Sequence, residues 1–145
     1  MVDAVDVKRH DLASLHEGQV ASISFSITAE DMAMFAAVSG DHNPLHCDAA
    51  FARSRGFADR VVYGALLVAK VSRLIGMELP GRDSLWHGID LHFVSPLFIG
   101  EAAMVEASVV QISPATRSVE LRLRIRSGER LIARGRASVS VRDGS

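Results

Sequence analysis

The stretch Ser39-Gly40-Asp41-His42-Asn43-Pro44-Leu45-His46-Cys47-Asp48 sits where the chain changes character, and its reading decides the fold. It sets an acid, an imidazole, a glycine and a turn-forming Asn-Pro pair between two segments that read as helices. A corner alone does not call for so many ionisable groups. The stretch is therefore the candidate reactive site.

On its N-terminal side, Ala21, Ile23, Phe25 and Ile27 alternate with Ser22, Ser24 and Ser26, the period of a strand with one buried face. Thr28 stands where an N-cap belongs. Glu30 and Asp31 follow in the first turn, where negative charge is favoured, and Met32, Phe35 and Ala36 share a face of a helix that should stop at Gly40. The ten residues of the stretch are expected to be loop. Asp48 then caps a short helix through Ala49, Phe51 and Ala52, which Gly56 ends.

Arg60 to Tyr63 reads as extended, and Gly64 opens a second, largely buried helix with Leu67, Val71, Leu74 and Ile75 on one face. It should end near Pro80-Gly81. Beyond that pair the pattern is almost all strand. Ile89, Leu91 and Phe93 alternate first; after a break at Pro96 and Gly100 come Ala103, Val105, Ala107 and Val109. A turn at Ser113-Pro114-Ala115-Thr116 leads to Val119, Leu121, Leu123 and Ile125. A second turn at Ser127-Gly128-Glu129 leads to Ala133, Ala137, Val139 and Val141. One strand, helical segments, a buried long helix and several antiparallel strands make an α+β domain in which a bent sheet wraps a central helix. One sheet face then needs cover, and pairing of two copies through sheet edges is expected.

The 145 residues suit one domain, 1–145, with 1–17 as a lead-in. With 48% hydrophobic and 23% charged residues the chain reads as an ordinary globular protein, and its net charge of -1 gives no general attraction to nucleic acid or to an anionic membrane. Met1 to Gly18 lack the apolar core of a signal peptide, and Val61 to Val71 is too short to span a bilayer. The single cysteine, Cys47, rules out an internal disulfide. A soluble cytoplasmic protein is the simplest expectation.

The run Phe35-Ala36-Ala37-Val38-Ser39-Gly40-Asp41-His42-Asn43-Pro44-Leu45-His46, followed by Tyr63-Gly64-Ala65-Leu66-Leu67, resembles the signature of the MaoC-like, (R)-specific enoyl-CoA hydratases. The resemblance covers most of the chain. It implies the hotdog fold and reversible addition of water to a trans-2-enoyl thioester, giving the (R)-3-hydroxyacyl product. It also implies that Asp41 and His46 are the catalytic pair. The chemistry suits them: water is too weak to attack C3 unassisted, the developing enolate needs stabilisation, and C2 needs a proton. Asn43 and Pro44 would act indirectly by fixing the turn. Gly64 matches the position whose backbone N–H is expected to bind the thioester oxygen, and Ser72 matches a supporting serine. Many members carry histidine immediately before the helix-opening glycine, where this chain has Tyr63; a phenol can still donate a hydrogen bond, and it bears on how thioester or loop is held.

The resemblance calls for no redox cofactor or metal, with coenzyme A or an acyl-carrier thioester entering as part of the substrate and a homodimer as the assembly. His42, His46, Asp41 and Asp48 crowd one loop without a second supporting cluster, which argues against a metal site. Cys47 reads as a small, semi-buried thiol. Trp86, His87 and His92 read as packing and hydrogen-bonding residues, with an acyl tunnel as the other role. Arg122, Arg124, Arg126, Arg130, Arg134 and Arg136 fall on a sheet face opposite the apolar one, where solvation is the default, and coenzyme A phosphates or an acidic carrier protein are the functional options. A hotdog acyl-thioesterase and a non-catalytic acyl-thioester-binding module are the alternative functions.

Overall fold

A computed structural model describes residues 5–142. The outermost residues of the 1–17 lead-in and of the expected 1–145 domain lie outside the described residues. Within the lead-in, Leu12–Ser14 forms a 3-10 turn and Leu15 is buried. Lys8 bonds the backbone at Met77 and Arg82, so this segment is tied to the end of the long helix.

Strand β1 spans Val20–Phe25 and helix α1 spans Ala29–Ser39. Thr28 and Asp31 form a reciprocal capping box that starts α1, and Gly40, at φ 76°, ends it in the left-handed conformation that suits glycine. The Thr28 N–H bond holds the Asp31 carboxyl below its ordinary pKa. The candidate stretch is not all loop. Pro44–Cys47 is a helical turn, α2, because Asn43 caps it and Pro44 occupies its first position, where a missing N–H costs nothing. Asp48 then caps α3, Ala49–Ser54.

Helix α4, Gly64–Met77, buries Leu67, Val71, Leu74 and Ile75. It stops ahead of Leu79-Pro80, since the residue before a proline disfavours helix. The segment expected to be extended before it, Arg60 to Tyr63, forms one isolated bridge, Val61 to Phe98, with Val62 N–H on the Leu97 carbonyl at 2.8 Å.

Strands β2 (Ser84–Phe93), β3 (Ala103–Ser113), β4 (Ser118–Ser127) and β5 (Arg130–Val141) join β1 in one antiparallel sheet of order β1-β3-β4-β5-β2. The inward rows Val105, Ala107 and Val109 of β3 and Val119, Leu121, Leu123 and Ile125 of β4 are buried with the apolar face of α4 in one core. Each fully buried Val or Leu of this kind contributes about 1.5–3 kcal/mol relative to exposure. The sheet and its helix have the α+β arrangement expected from the sequence. Strand β2 departs from expectation: it starts at Ser84, and its alternating apolar residues are not all core. Ile89 is 38% and Phe93 54% exposed, because β2 is the sheet edge and packing thins there.

Candidate active site

Side-chain-to-backbone bonds build the loop after α1 step by step. Ser39 Oγ donates to the Phe35 carbonyl at 2.6 Å and accepts from Asp41 N–H at 3.0 Å. Asp41 Oδ1 accepts from Asn43 N–H at 3.0 Å, and Asn43 Oδ1 accepts from Leu45 N–H at 2.9 Å. Such short-range bonds are the reason Ser, Asp and Asn favour turns and caps. They present the exposed Asp41 with Oδ2 free of hydrogen bonds among the described residues.

His46 lies on α2, half-buried, and its Nδ1 is 2.6 Å from the Val61 carbonyl oxygen. A carbonyl only accepts, so Nδ1 carries the proton and neutral His46 keeps its lone pair on Nε2. Arg60 Nε donates to the His46 carbonyl at 2.8 Å, and Val61 N–H to the Leu45 carbonyl at 3.2 Å. Helix α2 is thereby fastened to the segment that leads into α4.

Tyr63 is 2% exposed and occupies the N-cap of α4. Its hydroxyl donates to the Asp41 main-chain carbonyl at 2.6 Å and lies 3.5 Å from Cys47 Sγ. Its ring stacks on His46, with centroids 4.2 Å apart and planes 28° apart, and tilts against Phe35 at 4.5 Å. Burial above all, then the Cys47 contact and the Asp41 charge, push its pKa up to about 12. The phenol is a donor at neutral pH.

Gly64 follows as the first residue of α4, and its N–H has no acceptor among the described residues. That is the ordinary state of a helix's first turn, and it leaves a donor at the positive helix end. A Cβ here would lie 2.9 Å from Phe93 Cζ, so the ring edge of Phe93 rests against this glycine.

Ser72 is exposed on α4, two turns beyond Gly64, with its hydroxyl unbonded among the described residues. The structure thus links Asp41, Asn43, His46, Tyr63 and, by chain adjacency, Gly64; it brings Ser72 into no contact with them. Arg60, the Val61 carbonyl and Phe93 are site neighbours that the sequence pattern missed. Only the nearness of Arg60 and Val61 to Tyr63-Gly64 hinted at the first two.

Cys47 is exposed rather than semi-buried. Trp86 Nε1 donates to the Gly88 carbonyl, His87 Nε2 lies 2.7 Å from Ser140 Oγ, and His92 pairs with Asp90. Arg122 faces Arg136 and Arg124 faces Arg134 across the β4–β5 ladder, on the outward face away from α4. Arg130 leaves this array to pair with Glu101 at the strand's start. No group of three or more His, Cys, Asp or Glu side chains among the described residues is placed to hold a metal ion. A groove of about 370 Å³ runs between α1 and α4, lined by Met34, Phe35, Val38, Leu66, Lys70 and other residues, but not by Asp41 or His46. Among the described residues no helix is long and apolar enough to cross a membrane.

A bent antiparallel sheet packed on one long helix, with an Asp-His loop laid against the start of that helix, defines a hotdog-fold domain. The sequence matches the MaoC like domain over residues 12–128, and the chain belongs to that family. It is 41% identical over 99 residues to an (R)-specific enoyl-CoA hydratase of Aeromonas caviae, covering 68% of this chain and 74% of that protein. It is 29% identical over 140 residues to an (R)-specific enoyl-CoA hydratase of Rhodospirillum rubrum, covering 97% of each. Among solved structures, an (R)-hydratase from A. caviae superposes with a TM-score of 0.85 at 38% identity, covering 88% of this chain and 98% of that one.

Proposed function

We propose that this chain is an (R)-specific enoyl-thioester hydratase, and in reverse a 3-hydroxyacyl-thioester dehydratase. The observation that carries the reading is the His46 imidazole, fixed through Nδ1 on Val61 with Nε2 open, on a loop whose Asp41 keeps a free carboxylate oxygen. The hydratase relatives support the same reaction.

In this reading, water is held by His46 Nε2 and Asp41 Oδ2, acceptors that the loop's own hydrogen bonds leave open. The oxygen of water bonds to C3 as the C2–C3 π electrons move toward the thioester carbonyl. Gly64 N–H receives the resulting oxyanion, where a preorganised donor acts on charge that exists only as the reaction proceeds. The proton taken from water is returned to C2. Atoms balance without a change of overall oxidation level, so the step itself calls for no redox cofactor, and the carrier thiol stays attached. Asn43 shapes the turn, and Ser72 is proposed as a supporting residue further along α4.

The substrate is proposed to be a coenzyme A or acyl-carrier thioester handled in the cytoplasm by a homodimer. Strand β2 favours the dimer: it has a free edge and leaves Ile89 and Phe93 exposed on its inward face, a surface that a second copy would cover.

Crotonyl-CoA and longer trans-2-enoyl-CoA thioesters test the reading. Loss of enoyl absorbance with the thiol still bound supports it. Release of free thiol indicates a thioesterase, and tight binding without turnover indicates a binding module; either result would sink the hydratase reading.

A further inference from the structure

We infer that Tyr63 is a positioning residue for hydration, a single buried side chain that sets both the acid and the imidazole of the loop. The inference rests on the hydratase reading and deepens it.

The contacts divide between the two ends of the phenol. Its oxygen holds the Asp41 main chain at 2.6 Å, while its ring lies along the His46 imidazole at 4.2 Å between centroids. Asp41 is then fixed at three points: its N–H on Ser39 Oγ, its Oδ1 under Asn43 N–H, and its carbonyl under the Tyr63 hydroxyl. The His46 ring is fixed at two, by Nδ1 on Val61 and by the stack on one face, so its plane and the direction of Nε2 are set together. The same residue is the N-cap of α4 and immediately precedes Gly64. One side chain therefore ties acid, imidazole and oxyanion donor into one frame, and placement errors of about 1 Å in such a frame can cost roughly 10²-fold in rate.

A merely structural tyrosine needs an acceptor and a packed ring, and any core partners would serve. Here the acceptor belongs to Asp41 and the stacked ring belongs to His46. Tyr63 is not a proton carrier in this scheme, because its hydroxyl is committed to a carbonyl and stays protonated at neutral pH.

The substitutions separate the two contacts. Tyr63→Phe keeps the ring and drops the hydroxyl; Tyr63→Leu drops both; Tyr63→His keeps a flat ring with a donor. Each is assayed on crotonyl-CoA and longer enoyl-CoA thioesters beside wild type, Asp41→Asn and the Asp41→Asn/Tyr63→Phe double variant, with thermal unfolding followed in parallel. Tyr63→Phe is expected to lose roughly tenfold in kcat with KM little changed, the pattern of a contact that matters in the transition state. Tyr63→Leu should lose more than Tyr63→His. In the Asp41→Asn background the hydroxyl should no longer matter, because it acts through Asp41.

Wild-type kcat in Tyr63→Phe, losses that multiply in the double variant, or a leucine variant as fast as the histidine one would overturn the inference. A fall in unfolding temperature alone, with kcat per folded molecule intact, would also overturn it. Those results leave an active wild type and hence the hydratase reading standing. A wild-type chain inert toward every enoyl-CoA offered would bring down that reading and this inference together.

Discussion

His46 Nδ1 donates to the main-chain carbonyl of Val61 at 2.6 Å, across 15 residues of sequence. The bond decides the tautomer: the proton sits on Nδ1 and the lone pair on Nε2. An imidazole left to rotate would spend part of its time offering the wrong nitrogen. Its partner is backbone, so substituting the Val61 side chain leaves the acceptor in place.

The first expected consequence concerns the proposed pair. Asp41→Asn and His46→Ala should each lower kcat for hydration by roughly 10²–10⁴-fold, the usual contribution of a positioned acid-base group. Both residues lie outside the buried core, so circular dichroism and the unfolding temperature should stay near those of wild type. Near-normal rates in either variant would remove that residue from the mechanism.

A second follows from the contact between Gly64 and Phe93. Gly64→Ala puts a methyl group 2.9 Å from Phe93 Cζ, closer than side-chain carbons pack, so the half-exposed ring must turn away. Crowding beside the helix-opening N–H should lower kcat/KM by up to about 10²-fold. Adding Phe93→Ala to Gly64→Ala should recover part of that loss. Steady-state kinetics on the single and double variants measure it; a double variant no better than Gly64→Ala would mean that the ring is not what the methyl group meets.

A third concerns alkaline pH. The folded protein holds the Tyr63 proton up to about 12, against an ordinary value of 10.0. The folded state therefore binds the proton more tightly than the unfolded chain. This contribution to stability is whole below pH 10.0, declines above it as the unfolded phenol ionises, and is gone once pH has passed about 12. Denaturant titrations across this range should show wild type losing stability that Tyr63→Phe, with no phenol to ionise, does not lose through this route. Because the chain has one tyrosine, phenolate absorbance reports Tyr63 alone. A midpoint near 10.0 in the folded protein would contradict the burial described.

A fourth addresses the sheet edge. Ile89 pairs with Ala137 on the inward face of β2 yet remains 38% exposed. If the proposed homodimer forms through this edge, Ile89→Asp should disfavour cover by a second copy and lower the sedimentation mass toward that of a monomer, without the large stability loss of a core substitution. A wild-type monomer would overturn the proposed dimer, and a dimer mass unchanged by the substitution would place its interface elsewhere.

The amino-acid sequence by itself determined the features that depend on neighbours a few positions apart. Thr28 with Asp31 starts α1, Gly40 stops it, and Asp48 starts α3, because caps act within one helical turn. The alternation in β3 and β4 likewise told which residues face the core. Asp41, His46 and Gly64 were singled out by pattern, but the pattern did not contain their partners.

Tertiary structure alone decided those partners and the depth at which residues sit. Tyr63 reaches the Asp41 carbonyl across 22 residues, and Phe93 reaches Gly64 from the far edge of the sheet. Neither contact leaves a local trace, since it depends on where α4 crosses the sheet and on the order of the strands. Ile89 and Phe93 make the same point: period two assigns a residue to a face, whereas burial depends on what packs over that face, and at the β2 edge the chain's own helix leaves them partly uncovered.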